Sequence, residues 1–326
     1  MLRYYNIAII SIIGLFFFFL INKYQTSSSL PLVQVAYLGP HATLEDTVKG
    51  IRVSLNQNGF VENKNITIQT ANVNFDSALI PQMISKAVIS NPKVLVTLTT
   101  PVAQYAKSKV RDIPIIFSDI TDPIEAGLLK SPTKPLDNIT GMSDKQDFDS
   151  ILTFANKIIP NIKSVGVLYS TSEANDLALV KMLKEATAKQ QMELVAIAID
   201  QQRDIPMRMQ AFNNKVDFIY VGSSGPISPA IPIISTEASK MHIPIISFSQ
   251  EAVKEGIILA SYGVNYMKLG IATGNMIARV LRGEKLSNIV PQYPSPNESI
   301  GFISKKQAQK FGFQFPSNIH NVTVVE

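Results

Sequence analysis

The sequence predicts an α/β protein made of two doubly wound lobes joined by a hinge. Strand and helix patterns alternate along residues 32–282. Most strand patterns are continuous β-branched runs, which is typical of parallel strands covered on both faces. The pattern runs through the same order twice, and each series reaches an Ile-Pro-Ile-Ile strand, at residues 113–116 and 243–246. The length of 326 residues is enough for about two domains.

The first half contains four strand patterns and three helical patterns. The strand patterns cover residues 31–38, 65–71, 93–98 and 113–117, and the helical patterns cover 44–58, 76–90 and a segment beginning at Thr100. In the first helical pattern the apolar residues Leu44, Val48 and Ile51 fall on one face, as the helical period requires. Pro101 is suited to an early position of the third helix, where its missing N–H costs nothing.

The second half repeats this order and extends it. The strand patterns cover residues 164–169, 193–199, 217–221, 243–247 and 257–261, and the helical patterns cover 172–189, 203–212, 230–241 and 265–282. Pro206 predicts an interruption of the helix over 203–212. Two proline-containing segments, 131–137 and 291–296, are predicted loops, and the second is expected to cross between the lobes.

Composition excludes several classes of function. Lys plus Arg is 30 and Asp plus Glu is 25, so the net charge of +5 is too small for a nucleic-acid binder, and no basic run supports one. The chain has no cysteine, which excludes disulfides, thiolate metal sites and cysteine nucleophiles. The three histidines, His41, His242 and His320, share no metal-ligand spacing. We therefore expect no metal and no cofactor.

The N-terminal 29 residues are typical of a targeting segment. Arg3 precedes an apolar run over residues 7–21, and small serines follow at 27–29. A helix of 15 residues is about 22 Å long, shorter than the roughly 30 Å hydrocarbon core, which favours a secretory signal peptide. An uncleaved membrane anchor is the main alternative, and a buried core helix is a third. Both leading interpretations put residues 30–326 across the membrane, with membrane contact only through 7–21.

Hydroxyl and carboxylate side chains follow several of the predicted strands. Ligands of open α/β sheets bind beyond the carboxyl ends of the strands, and helix N-termini there favour anions. The candidate ligand-binding residues are His41, Thr99, Thr100, Ser118 and Asp119 in the first lobe, and Tyr169, Ser223, Ser224 and Glu251 in the second. Any one serine or threonine could instead serve only as a helix cap.

Enzymatic patterns are weak. Residues 222–225, Gly-Ser-Ser-Gly, do not form a Gly-x-Ser-x-Gly elbow, and no dinucleotide or phosphate loop follows the first strand. We therefore expect no catalytic residues. A hydrolase acting in the same cleft is a distant alternative, since the chain offers no clear nucleophile–base pair.

Several segments in order resemble a known family. The segments are His41-Ala-Thr-Leu-Glu45, Thr121-Asp122-Pro123, Ser172-Glu-Ala-Asn175, Ala260-Ser-Tyr-Gly263 and Leu281-Arg-Gly-Glu-Lys285. Over residues 33–283 the chain resembles the ABC-transporter substrate-binding proteins of the tryptophan/tyrosine type. It departs from their pattern at Ser224 and Gly225, where the family usually has Asp-Asn. It also lacks the cysteine that many members carry after the signal.

The resemblance implies a type I periplasmic-binding-protein fold of two Rossmann-like lobes joined by three hinge strands. We expect an N-terminal lobe of residues 30–141 plus 262–290 and a C-terminal lobe of 142–261 plus 291–326. The implied function is capture of a small polar solute, such as an amino acid, in the periplasm. The implied partners are ABC permease subunits and, through them, an ATPase. A ligand-sensing domain without a transport role is the alternative.

Overall fold

The computed structural model describes residues 30–316 and 319–326. The predicted signal or anchor segment, residues 1–29, lies outside them. The described residues form twelve strands and ten α-helices. Among those helices, none combines the length and the apolar character needed to cross a membrane.

The first half of the chain builds a five-stranded sheet with helices on both faces. Its elements are β1 (Leu32–Tyr37), α1 (Ala42–Gln57), β2 (Thr67–Asn72), α2 (Ile80–Ile89), β3 (Val94–Leu98), α3 (Thr100–Lys109), β4 (Ile115–Ile120) and β5 (Ile139–Ser143). The strand order is β2-β1-β3-β4-β5, and every neighbouring pair is parallel. This is a doubly wound order, with its topological switch between β1 and β3.

The second half builds a seven-stranded sheet. Its elements are α4 (Phe148–Asn156), β6 (Ser164–Ser170), α5 (Ala174–Lys189), β7 (Glu193–Ile199), α6 (Ile205–Met209), β8 (Phe218–Val221), α7 (Ile231–Lys240), β9 (Ile245–Ser247), α8 (Gln250–Lys254), β10 (Ala260–Gly263), α9 (Tyr266–Leu281), β11 (Ile300–Ser304), α10 (Lys305–Phe311) and β12 (Val322–Val325). The strand order is β12-β11-β10-β9-β8-β6-β7, and only the β10–β11 pair is antiparallel. The predicted α/β class with two mostly parallel sheets is confirmed.

Each sheet is covered by apolar side chains on both faces. On the first sheet, Val33 and Val96 pack with Ile51 of α1 and Ile277 of α9. The opposite face packs against α2 and α3. The second sheet packs α4 and α5 on one face and α6, α7 and α8 on the other. The two-sided burial explains why the strand sequences are continuous rather than alternating.

The chain passes between the two sheets three times. It leaves the first sheet after β5 and enters α4, it returns from β10 into α9, and it runs from α9 through residues 289–299 into β11. The first and third passages run side by side, with Met142 and Gln292 forming a parallel bridge. The predicted interlobe crossing over 291–296 lies in the third passage.

Helix α9 returns to the first lobe by packing closely on α1. Gly270 and Gly274 of α9 face Thr47 and Ser54 of α1, and a Cβ built on Gly274 would lie 2.6 Å from the Ser54 Cβ. A Cβ on Gly270 would overlap the Thr47 carbonyl. Glycine at these positions therefore allows the two helix backbones to meet.

Candidate functional site

A cavity lies between the two sheets, at the carboxyl ends of their strands. Both halves of the chain line it, together with two residues of the interlobe passages. The lining residues are Leu38, His41, Thr43, Leu44, Phe75, Thr99, Thr100, Pro101, Asp119 and Thr121 from the first lobe, Asp144 and Tyr266 from the passages, and Glu173, Asn175, Ser223, Ser224, Gly225, Ser228 and Phe248 from the second lobe. Clefts between domains are preferred positions for small-molecule sites.

Three residues of the first-lobe wall have a left-handed backbone. Thr99, which follows β3, has a φ of 77°, Asp119 near the end of β4 has 57°, and Phe75 has 67°. Asp119 coincides with a register shift between β4 and β5, as in a β-bulge that redirects a side chain. For residues other than glycine such conformations cost roughly 1–3 kcal/mol, and they concentrate at functional sites.

Two buried carboxyl groups lie at the base of the cavity. Asp119 Oδ1 accepts a hydrogen bond from Thr47 Oγ1 at 2.9 Å, and Asp144 Oδ2 accepts one from the Tyr266 hydroxyl at 3.2 Å. The Asp144 amide donates to the Ile120 carbonyl, next to Asp119 in the chain. Burial raises the pKa of Asp144 to about 6, and burial together with the nearby Asp144 charge raises the pKa of Asp119 well above its usual value.

The second lobe contributes a third carboxylate, that of Glu173. Glu173 follows β6, and its carboxylate accepts the Gly225 amide at 3.1 Å and the Asn175 side-chain amide at 3.1 Å. A Cβ at Gly225 would lie 2.6 Å from Glu173 Oε1, so a side chain at this position would displace the Glu173 carboxylate. The sequence departure at Gly225 thus does not leave this wall without a carboxylate. Burial raises the pKa of Glu173.

Five buried polar atoms on the cavity wall have no hydrogen-bond partner among the described residues. They are Thr99 Oγ1, Asp119 Oδ2, Asp144 Oδ1, Asn175 Oδ1 and Ser224 Oγ. Buried polar groups are normally paired, so a cluster of unpaired ones around one cavity marks a ligand-binding surface. The two hydroxyls can donate or accept a hydrogen bond. The Asn175 oxygen, and each aspartate oxygen when its carboxyl is ionised, can only accept one.

The two lobes contact each other around this cavity. The imidazole of His41 stacks on Phe248 of the second lobe, with ring centroids 5.2 Å apart. Glu125 and Lys181 form an ion pair of 2.5 Å from lobe to lobe. Burial lowers the pKa of His41 to about 4, so this histidine is neutral at physiological pH. The structure therefore has a closed arrangement of the lobes.

Six of the nine residues selected from the sequence line the cavity. They are His41, Thr99, Thr100, Asp119, Ser223 and Ser224. The cavity brings them together because strand ends of a parallel sheet share one edge.

The other three selected residues lie elsewhere. Ser118 is fully buried, and its Oγ bonds to Thr273 Oγ1 of α9 at 2.9 Å, so it joins the strand to the helix behind it. Tyr169 is still inside β6, half-buried and away from the cavity lining. Glu251 is exposed on α8, with its carboxylate 4.0 Å from Lys254 Nζ.

Several cavity residues were not selected from the sequence. Glu173, Asn175 and Phe248 follow strands that the sequence pattern did identify, so their position after a strand was an available signal. Asp144 follows β5, a short strand containing Gly141 that the hydrophobic pattern does not identify. Tyr266 begins α9, and only the tertiary fold brings it to Asp144.

Fold and site together define a solute-binding protein with two lobes closed around a cavity that combines apolar side chains with three buried carboxyl groups. Residues 32–324 match the family model of the ABC transporter substrate binding proteins, and the chain belongs to this family. The resemblance inferred from the motifs is therefore confirmed. The chain acts as the substrate-binding component of an ABC transporter. Its membership of this family supports a role in transport rather than the sensing alternative.

Three relatives show how similar the chain is to known members. It is 32% identical over 268 residues to the tyrosine-binding protein of Clostridioides difficile, covering 82% of this chain and 77% of that protein. It is 29% identical to the ABC domain in complex with L-Trp from Streptococcus pneumonia, with a TM-score of 0.84 over 91% of this chain and 100% of the other. It is 30% identical to the ligand-free, open structure of a substrate binding protein with adhesive properties from Clostridium difficile, with a TM-score of 0.71 over 91% and 99%.

The closed lobe arrangement agrees with these scores. Sequence identity to the two solved structures is nearly the same, yet the TM-score is higher for the ligand complex than for the open, ligand-free structure. The described arrangement therefore resembles a ligand-bound state more than an open one.

Proposed function

We propose that this chain captures an L-amino acid with an aromatic side chain between its lobes and delivers it to an ABC permease. The single observation that carries the proposal is the set of five unpaired buried polar atoms on the cavity wall, contributed by both lobes and one passage between them. A zwitterion supplies both the donors and the acceptors that these atoms need. The ligands named for the relatives, tyrosine and L-Trp, belong to the same class.

The carboxylate of such a ligand suits the end of the cavity formed by Thr99 and Thr100. Helix α3 begins here without a side-chain cap, so its first N–H groups face the site with the positive end of the helix dipole. The Thr99 hydroxyl is unpaired in the described structure and can donate. Ser224 offers a second hydroxyl from the opposite lobe.

The side chain of the ligand suits the apolar part of the cavity. Phe75, Leu38, Leu44 and Phe248 line it, and His41 is neutral and stacked on Phe248. Aromatic rings favour offset stacking on one another, which gives an aromatic ligand an advantage over an aliphatic one of the same size.

Delivery requires the lobes to open and close. We propose that residues 30–141 plus 262–290 and residues 142–261 plus 291–326 move as two bodies about the three passages. Ligand favours closure only because it binds the closed form better than the open form. The permease subunits, coupled to an ATPase, would receive the closed form in the periplasm. No catalytic step is part of this proposal.

A thermal-shift screen of residues 30–326 against the twenty L-amino acids, dipeptides and purines tests the proposal. A ligand at 100 times its Kd stabilises the folded state by about 2.7 kcal/mol, which corresponds to a shift of several degrees. We expect the largest shifts with L-tyrosine or L-tryptophan and smaller ones with their D-enantiomers. Equal melting temperatures with every compound would contradict the proposal.

Matched serine variants locate the site. Ser224→Ala removes an unpaired cavity hydroxyl, whereas Ser287→Ala removes an exposed one. A hydrogen bond to a charged ligand group contributes about 1.5–3 kcal/mol, so Ser224→Ala should raise Kd by roughly tenfold or more. Ser287→Ala should leave Kd unchanged. Equal affinities of the two variants would remove Ser224 from the site.

A further inference from the structure

The base of the cavity contains three unpaired buried acceptor oxygens. They belong to Asp119, Asp144 and Asn175, which are 6%, 4% and 7% exposed. The amide orientation of Asn175 is fixed because its Nδ2 donates to Glu173 Oε2 and to the Ser223 carbonyl. Its unpaired Oδ1 can therefore only accept a hydrogen bond, and it lies on the lobe opposite that of Asp119.

No cation in the described structure balances the two aspartates. Among residues 30–316 and 319–326, neither Asp119 nor Asp144 takes part in an ion pair. The titratable groups that act on the pair or line the same cavity are Tyr266, Tyr220, Glu173 and the neutral His41. Burying two uncompensated carboxylates together is strongly unfavourable, so the closed arrangement keeps at least one proton on them when no cation is bound.

We propose that Asp119 and Asp144 form the subsite for a primary ammonium group of the ligand, and that binding this group releases the proton that the two carboxyls hold. The inference rests on the proposed function and specifies which end of the zwitterion binds where. The three N–H donors of an ammonium match the three free acceptors in number. The displaced proton passes to solvent, and the ammonium takes its place as the compensating charge.

The position of Asp144 connects this subsite to lobe movement. Asp144 lies in the first interlobe passage and Tyr266 at the end of the second, and their side chains are hydrogen-bonded to each other. An ammonium on the free oxygen of Asp144 therefore contacts a group that joins two of the three passages. Tyr266 is a positioning residue in this arrangement. Burial and the nearby charge of Asp144 raise the pKa of Asp119 well above its usual value, which agrees with a proton held by this pair before the ammonium binds.

Isothermal titration calorimetry in two buffers of different ionisation enthalpy, phosphate and Tris, measures the released protons directly. L-Tyrosine and L-tryptophan are each compared with their des-amino acids, 3-(4-hydroxyphenyl)propionate and indole-3-propionate. We expect release of about one proton near pH 7 for the amino acid that binds, and none for its des-amino acid. The des-amino acid should bind at least tenfold more weakly.

Variants connect the proton to the aspartates. Asp144→Asn and Asp119→Asn should each abolish most of the proton release and weaken L-amino acid binding, whereas Asp112→Asn, on the exposed loop before β4, should change neither. The wild-type measurement does not depend on the folding of any variant. Tyr266→Phe should retain proton release and change affinity less than Asp144→Asn.

The possible failures are distinguishable. If the des-amino acid binds as tightly as the amino acid, or if binding releases no proton, the ammonium subsite is wrong and the proposed function stands. If neither L-tyrosine nor L-tryptophan binds, the proposed function is wrong and this inference with it.

Discussion

Strained residues form a substantial part of the first-lobe wall. Thr99 is β-branched, and its φ of 77° is a conformation that such residues rarely adopt. Its hydroxyl forms no side-chain cap on α3 and lies unpaired on the cavity wall. The backbone of Thr99 is thus strained at a position where the side chain lines the cavity and does not cap the helix.

Replacing Thr99 by glycine separates binding from stability. Glycine adopts positive φ without steric cost, so Thr99→Gly should leave the melting temperature unchanged or raise it. The loss of the hydroxyl should weaken amino-acid binding by roughly tenfold. Differential scanning calorimetry and titration calorimetry measure the two effects. A variant that loses stability without losing affinity would contradict this role.

A side chain at Gly225 should disturb the second-lobe carboxylate. A Cβ there would lie 2.6 Å from Glu173 Oε1 and 3.1 Å from Leu38 Cδ2 of the first lobe. Gly225→Ala should therefore displace Glu173 and weaken both ligand binding and lobe closure. Ser287→Ala, at an exposed position outside the cavity, provides the control. The affinities of both variants for L-tyrosine test this, and an unaltered Kd for Gly225→Ala would be the contrary result.

At the scale of elements, α9 connects the site to the first lobe. Its Thr273 contacts Ser118, its Tyr266 contacts Asp144, and its glycines pack on α1, which carries Thr47 to Asp119. The α1–α9 contact therefore supports both aspartates from behind. Close packing at this contact should matter for stability and for binding alike.

Substituting Gly270 by alanine tests that contact. The added Cβ would overlap the Thr47 carbonyl, which is backbone and cannot rotate away. Overpacking of this kind costs about 1–3 kcal/mol. Lys268→Ala, at an exposed position of the same helix, is the control, because its ion pair with Glu298 is exposed and contributes little. Urea unfolding of Gly270→Ala should show this loss, and a wild-type midpoint would contradict it.

Sequence patterns predicted the elements whose residues are strongly β-branched or amphipathic. The predicted strands also gave the positions of the strand ends, and the residues at those ends include His41, Thr99 and Asp119. The sequence patterns did not predict strand β5, because it contains Gly141 and few residues that favour strands. Glycine is needed there because a Cβ would meet the ring of Phe117. The pattern could not exclude Ser118, because neighbouring strand residues point to opposite faces and the sequence does not say which face is the cavity.

At the scale of the whole molecule, buried acids make the ligand-free protein sensitive to pH. Burial raises the pKa of Asp144 to about 6 and that of Asp176 to about 7. The folded protein therefore holds protons that the unfolded chain loses above about pH 4, and stability falls as pH rises through 6 to 7. His41, with its pKa lowered to about 4, acts in the opposite direction between pH 4 and 6.5.

The buried acids outnumber this histidine, so the net change in stability as pH rises is a decrease. We expect the ligand-free protein to be less stable at pH 7.5 than at pH 5, by on the order of 2 kcal/mol or a few degrees in Tm. Asp144→Asn should flatten the dependence. Thermal unfolding across this pH range measures it, and a Tm that rises steadily from pH 5 to 7.5 would disagree with the assignment.

Native mass spectrometry of residues 30–326, before and after unfolding and refolding in ligand-free buffer, tests the central claim most directly. The account predicts a protein that carries one molecule with the mass of a single amino acid, loses it on refolding, and regains it when L-tyrosine or L-tryptophan is added. A protein that carries no such molecule, and acquires none in a mixture of all twenty L-amino acids, would contradict the capture of an amino acid between these lobes.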